Sequence, residues 1–323
     1  PRVVAAEPFT LDASASILSS LTAAGLKKKV GHFPFHVVLQ TEADAGPRIV
    51  DVVVKSKPTD DEVIGMLNTM AQACGNELGV QFETHKYHTG FRHCHVRELA
   101  VCALDDPRFT AVAPAYYHTW RDDRHEVYVL VMEYLDGLSH LNTEDQPAAW
   151  REEHVRAVLR DLAAFHSLYY QRTAALEAEP WMDRPTAERT TQMAPLWHAL
   201  VDHHAHEFAA LYPPERAALV RRLIDCIPDF WPLLEQAPRT LIHNDFNPRN
   251  LGLRPLPDGG WRLCAYDWEL ATVHVPQHDV AEFLAFVLPP DTTPEDRLAW
   301  VDVYRRALED AAAVRLDPAD FAR

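Results

Sequence analysis

Residues 241–269, LIHNDFNPRNLGLRPLPDGGWRLCAYDWE, constrain this chain more than any other stretch. A short apolar pair, Leu241-Ile242, runs into a polar loop that holds His243, Asp245 and Asn250. Two apolar segments, 251–253 and 261–265, then flank Pro257-Asp258-Gly259-Gly260. Asp-Gly and Gly-Gly dipeptides between apolar runs are strong hairpin signals. Asp267 follows directly after Tyr266. The spacing therefore predicts strand, loop and hairpin, with groups able to handle a proton and a metal at the ends of short strands.

Phosphoryl transfer uses such a set. An Asp in a loop accepts the proton of the attacking hydroxyl, an Asn five positions on binds Mg²⁺, and a second Asp after a hairpin holds the metal ions that bridge the nucleotide phosphates. Asp245, Asn250 and Asp267 supply these types in that order. The pattern H-x-D-x-x-x-x-N followed by an isolated Asp resembles the aminoglycoside phosphotransferase and choline kinase superfamily, which shares the protein-kinase fold. That family's loop reads His-Gly-Asp, with Asn244 in the Gly place here, and Tyr266-Asp267-Trp268-Glu269 is similar to its Ile-Asp-Trp/Phe-Glu motif. The resemblance runs from about residue 27 to 314 and is specific at these two motifs. It implies an α+β, bilobal protein-kinase-like fold: a small antiparallel-sheet N-lobe over 1–134, including an N-terminal extension, and a mostly helical C-lobe over 135–323. ATP would lie between the lobes. Asp245 would be the catalytic base with His243 orienting its loop, and Asn250 and Asp267 would hold Mg²⁺.

The N-terminal half supplies the expected partners. Segments 27–41 and 48–57 alternate or run β-branched in the manner of strands. The second ends in Lys55 and Lys57, and the match of Val52-Val53-Val54-Lys55 to the family strand selects Lys55 for the α- and β-phosphates, with Lys57 the fallback. No G-x-G-x-x-G precedes it; Gly25, Gly31 and Gly46 are the glycines upstream, so the residues covering the phosphates stay unassigned. A helix is expected over 13–24, another over 58–79 capped by Thr59, and a third over 91–104 carrying Glu98 as the carboxylate for Lys55. Strands over 111–120 and 126–132 lead to Met132, Glu133 and Leu135, whose backbone would meet an adenine edge. Beyond this hinge the pattern is helical over 148–170, 191–212, 214–234, 280–288 and 297–313, with 177–190 a loop able to touch substrate. His166 reads as structural, and Asp279 as a brace for the catalytic loop.

Composition narrows the partners. With 323 residues, a net charge of -16 and no dense basic run beyond Lys27-Lys28-Lys29, nucleic-acid binding is not expected. No apolar run approaches a membrane span and no secretory pattern opens the chain. Five cysteines without a C-x-x-C pair point to reduced thiols and a cytoplasmic location. The crowded histidines lack a zinc-ligand framework. Two acceptors fit: a small-molecule alcohol (an antibiotic, amino sugar or amino alcohol, for which the acidity suits a cation), or a Ser/Thr of a peptide in natural-product biosynthesis, with a pathway partner such as a lyase. A nucleotide-binding pseudokinase scaffold is the non-enzymatic alternative, and the intact Asp245, Asn250, Asp267 and Lys55 argue against it.

Overall fold

Alternating and β-branched residues build the first layer. In the computed structural model, which describes residues 2–10, 22, 28–40, 46–141 and 149–322, strands β1 (Arg2–Pro8), β2 (Gly31–Gln40), β3 (Arg48–Ser56), β4 (Tyr116–Asp122) and β5 (Val127–Glu133) form one sheet. Its order is β1-β2-β3-β5-β4 and every pairing is antiparallel. The register sets Lys55 opposite His32 on one side and Leu130 on the other. Cross-strand partners share a face, so His32 and Lys55 point the same way.

The helix expected over 58–79 is two helices, α1 (Asp60–Cys74) and α2 (Asn76–His85). Thr59 caps the first in a reciprocal box with Glu62, and Gly75, at φ 72°, ends it, a conformation in which a Cβ is penalised. Helix α3 (Cys94–Cys102) is shorter than 91–104 because His93 turns left-handed at φ 61° and donates its N–H to Asp60 at 2.7 Å. Strand β4 starts later than expected, after a helical turn at Pro107–Thr110.

The remaining chain is mainly helical: α4 (Glu152–His166), α5 (Ala194–Glu207), α6 (Pro214–Asp225), α7 (Ile227–Gln236), α8 (Gln277–Val287) and α9 (Pro294–Ala312). The single helix expected over 214–234 breaks at Cys226. Pro228, in the first turn of α7, has no N–H to continue the ladder and its ring crowds the preceding turn. Short helical turns at Ala174–Glu177 and Ala187–Gln192 interrupt the loop expected over 177–190. Between α7 and α8 lie β6 (Thr240–Ile242), β7 (Leu251–Pro255), β8 (Trp261–Ala265) and β9 (Thr272–His274); β7 and β8 form the anticipated hairpin, and β6 pairs with β9. The helix expected over 13–24 lies outside the described residues apart from Thr22. One apolar core, including Leu130, Leu159, Phe246, Trp268, Phe283 and Tyr304, joins the sheet to α4, α8 and α9. The fold is bilobal and kinase-like. Among the described residues no helix is long and apolar enough to cross a membrane.

Candidate active site

The sheet and α3 together bury a chain of alternating charges. Lys55 Nζ donates to Glu98 Oε1 and to Asp267 Oδ1, both at 2.7 Å. Lys57, directly after the end of β3 and two residues from Lys55, donates to Glu98 Oε2 and, at 2.7 Å, to Glu269 Oε2. The sequence Asp267–Lys55–Glu98–Lys57–Glu269 thus holds three carboxylates and two ammoniums. Burial opposes charge on both lysines, but Asp267 and Glu98 beside Lys55, and Glu269 and Glu98 beside Lys57, prevail and hold both well above the ordinary value. Burial likewise opposes ionisation of Glu98 and Asp267; the two lysines hold both carboxyls below the ordinary range. Glu269, touched by one lysine only, moves the other way: burial and the charges of Asp267 and Glu98 push it up. Arg97, 1% exposed, locks α3 in place by donating to the carbonyls of Gly90, Arg92, Trp181 and Glu269.

The catalytic loop is braced from beneath by α8. Asp279, fully buried, accepts from the backbone N–H of His243 at 2.7 Å and of Asn244 at 2.9 Å, and contacts His166 Nε2 at 3.2 Å. Glu282, one turn on, accepts from Phe246 N–H at 2.8 Å. His166, anticipated as structural, passes the brace to Tyr304, 2.6 Å from its Nδ1. Asn244 sits at φ 64°, the left-handed region. Gly adopts it freely and Asn tolerates it best among side-chain-bearing residues, so the departure from His-Gly-Asp preserves the turn. Its Nδ2 also donates to Leu270 O at 3.0 Å.

Asp245 presents both carboxylate oxygens in a fixed frame: Oδ1 accepts from Asn247 Nδ2 and Oδ2 from Asn250 Nδ2, each at 2.7 Å. His243 lies fully buried. Its Nε2–H donates to Tyr266 O at 2.9 Å and its ring packs on Trp268, centroids 4.5 Å apart. Asp267 reaches the cleft because it is itself left-handed, φ 67°, between Tyr266 and a Trp268 that is wholly buried. Tyr266 N–H donates to Asn250 O at 3.1 Å, so the two motifs are joined through their main chains.

At the hinge the three expected residues divide. Glu133 gives its N–H to Ala115 O at 2.8 Å, and its carboxylate takes a two-pronged bond from Arg254 at 2.8 and 2.9 Å. Leu135 makes no main-chain hydrogen bond among the described residues, and Met132 is buried in β5. A cavity of about 760 Å³ lies behind the hinge, against Tyr117, Arg254 and Arg262, and includes none of Lys55, Asp245 or Asp267. A smaller one, about 290 Å³, opens beside the catalytic loop at Asn244.

The sequence model of the phosphotransferase enzyme family, APH, matches residues 94–316, more than half of the chain. This chain belongs to the phosphotransferase enzyme family. No curated protein sequence matches it. Solved structures that resemble it include the GDP and kanamycin complex of APH(2″)-IIia, at TM-score 0.44 and 13% identity over 100% of this chain and 82% of that one. Others are aminoglycoside phosphotransferase APH(3″)-Id from Streptomyces rimosus ATCC10970 (TM-score 0.42) and its complex with ADP and streptomycin (TM-score 0.43), each 14% identical over 97% of both chains.

Two features of this phosphotransferase escape a reading of its motifs. Glu269 carries the second buried lysine, a link visible only once β3 and residues 267–269 are brought together across 212 positions. His32 is the second residue of β2, opposite Lys55, and no hydrogen bond holds its ring among the described residues. Burial and the neighbouring Lys55 lower its pKa to about 4, so it faces the cleft as a neutral imidazole.

Proposed function

We propose that this phosphotransferase moves the γ-phosphoryl group of ATP to a hydroxyl of a small-molecule acceptor. The observation that carries the reading is the joining of the Asp245–Asn250 pair to the Lys55–Asp267 pair through the Tyr266–Asn250 main-chain bond. Lys55, held by Glu98, meets the α- and β-phosphates, and His32 lies over the same cleft. The Glu133 carbonyl and Leu135 N–H receive the adenine edge. Mg²⁺ fits the donors present: Asn250 turns its Nδ2 to Asp245 and leaves its amide oxygen without a hydrogen bond among the described residues, and Asp267 keeps its side chain 38% exposed. These are the hard oxygen donors that Mg²⁺ takes. When bound it would supply charge neutralisation across the phosphates.

Asp245 aligns the acceptor hydroxyl. As the acceptor oxygen forms its bond to the γ-phosphorus, the bond from that phosphorus to the β–γ bridging oxygen breaks. The acceptor proton passes to the Asp245 carboxylate and ADP leaves with the electron pair. The two amides that fix Asp245 make positioning its larger contribution.

The test is a thermal-shift titration of wild type and Asp267→Asn with Mg-ATP. A ligand of the folded state raises stability as RT ln(1 + [L]/Kd). A metal-dependent shift in wild type that weakens in the variant is the expected result. Absence of any shift at millimolar nucleotide would remove the enzymatic reading and leave a scaffold on a kinase-like fold.

A further inference from the structure

The cavity beside Asn244 carries more positive than negative charge. Arg97 and Arg189 line it against a single carboxylate, Asp183, which leaves one positive charge over among the described lining residues. Arg189 holds both Asp183 oxygens, whereas Arg97 donates to main-chain carbonyls and forms no ion pair among the described residues. Asp279, whose charge also reaches His274, is spent on the N–H groups of His243 and Asn244. A buried charge without a counter-ion is costly, and an anion in the cavity would offset it. None of Lys55, Asp245, Asn250 and Asp267 lines this space, so it stands apart from the nucleotide and the base.

Charge draws an anion in, and donors must hold it. His274, the last residue of β9, lines the cavity and is only 6% exposed. Burial and the neighbouring His278 and Arg239 lower its pKa to about 4, so the ring is neutral. Its Nδ1 accepts from Val275 N–H at 2.6 Å, which leaves the one ring proton on Nε2. That Nε2–H has no acceptor among the described residues. The Thr190 hydroxyl lines the same space and makes no hydrogen bond among them either. His278, exposed on α8, stacks on His274 with centroids 5.4 Å apart and offers a further N–H. A buried donor without an acceptor bears the full cost of its desolvation. Water would satisfy these donors but not the excess charge; a carboxylate or phosphate oxygen answers both.

We infer that the cavity beside Asn244 is an anion site, taking a carboxylate or phosphate group on the His274 Nε2–H and the Thr190 hydroxyl. The site goes beyond the phosphoryl-transfer reading and does not depend on it. Trp231 lines the cavity and meets His274 edge-on, centroids 5.4 Å apart, so tryptophan fluorescence reports on it. The full chain is titrated with sodium phosphate and, separately, with sodium acetate, each against sodium chloride at matched ionic strength. A saturable change with one or both anions, beyond that of chloride, is expected, and the anion that binds names the group. His274→Phe and Thr190→Val each remove one donor and should weaken binding about tenfold or more, the scale of a hydrogen bond to a charged group. The two residues belong to separate elements, so either variant carries the test if the other does not fold. Saturating magnesium adenosine imidotriphosphate should leave the titration unchanged. No saturable change with either anion, affinity indifferent to the substitutions that fold, or displacement by the nucleotide analogue would each overturn the inference.

Discussion

Replacing Lys57 by Met tests the buried charge chain. Lys57 is 1% exposed on its side chain and bonds two carboxylates, Glu98 and Glu269. Removing it leaves Lys55 alone against Asp267, Glu98 and Glu269, so the local balance falls from one excess negative charge to two. Stripping one partner from a buried ion pair costs roughly 3–5 kcal/mol, because the remaining charge stays buried without compensation. That cost depends on pH in a determined sense. Burial has already raised Glu269 above its ordinary 4.5, and loss of Lys57 raises it further. A carboxyl whose folded pKa lies above its unfolded value contributes fully below the unfolded value and loses that contribution as pH rises through the folded one. The deficit of Lys57→Met should therefore be larger near pH 8 than near pH 5, because acidification favours the protonated, neutral form of Glu269. Urea unfolding at both pH values, compared through midpoints at constant slope, reads this directly. A gap below about 1 kcal/mol at pH 8, where ~3–5 is expected, or a gap that widens on acidification, would refute the argument.

Three further outcomes are expected. His32→Ala should weaken Mg-ATP binding roughly ten- to hundredfold, the value of a hydrogen bond to a charged group, and leave adenosine binding unchanged in isothermal titration; equal losses for both ligands would remove His32 from the phosphates. Asn244→Gly should be nearly neutral in thermal unfolding, while Asn244→Val, forced left-handed and deprived of its bond to Leu270, should cost about 1–2 kcal/mol or more; equal stability of the two variants would count against strain at this turn. Asp279→Asn should lower stability at pH 7 by about 1.5–3 kcal/mol and lower kcat through the loop. Although burial opposes its ionisation, His166 and the loop hold Asp279 below its ordinary 3.8, so its contribution is present above that value and fades as pH falls through the lowered one. The gap between wild type and variant should therefore close in acid; a constant gap would show that its charge is not what braces the loop.

What could be read from the chain, and what could not, follows the range of the interactions involved. The loop and hairpin over 241–269 are local: turn dipeptides, strand ends and residue spacing carry them, and Asp245, Asn250 and Asp267 fall where the motifs put them. The helix expected over 58–79 failed at Gly75 and the one over 214–234 at Pro228, where a single backbone conformation overrides a continuous apolar period. The choice between Lys55 and Lys57 illustrates the deeper limit. Two lysines at i and i+2, at and just beyond the end of β3, reach the same carboxylate, and local pattern cannot rank them. The structure does not discard either: Glu98 binds both, and the distinction arises from which carboxylate of the distant Asp267-Trp268-Glu269 segment each one reaches.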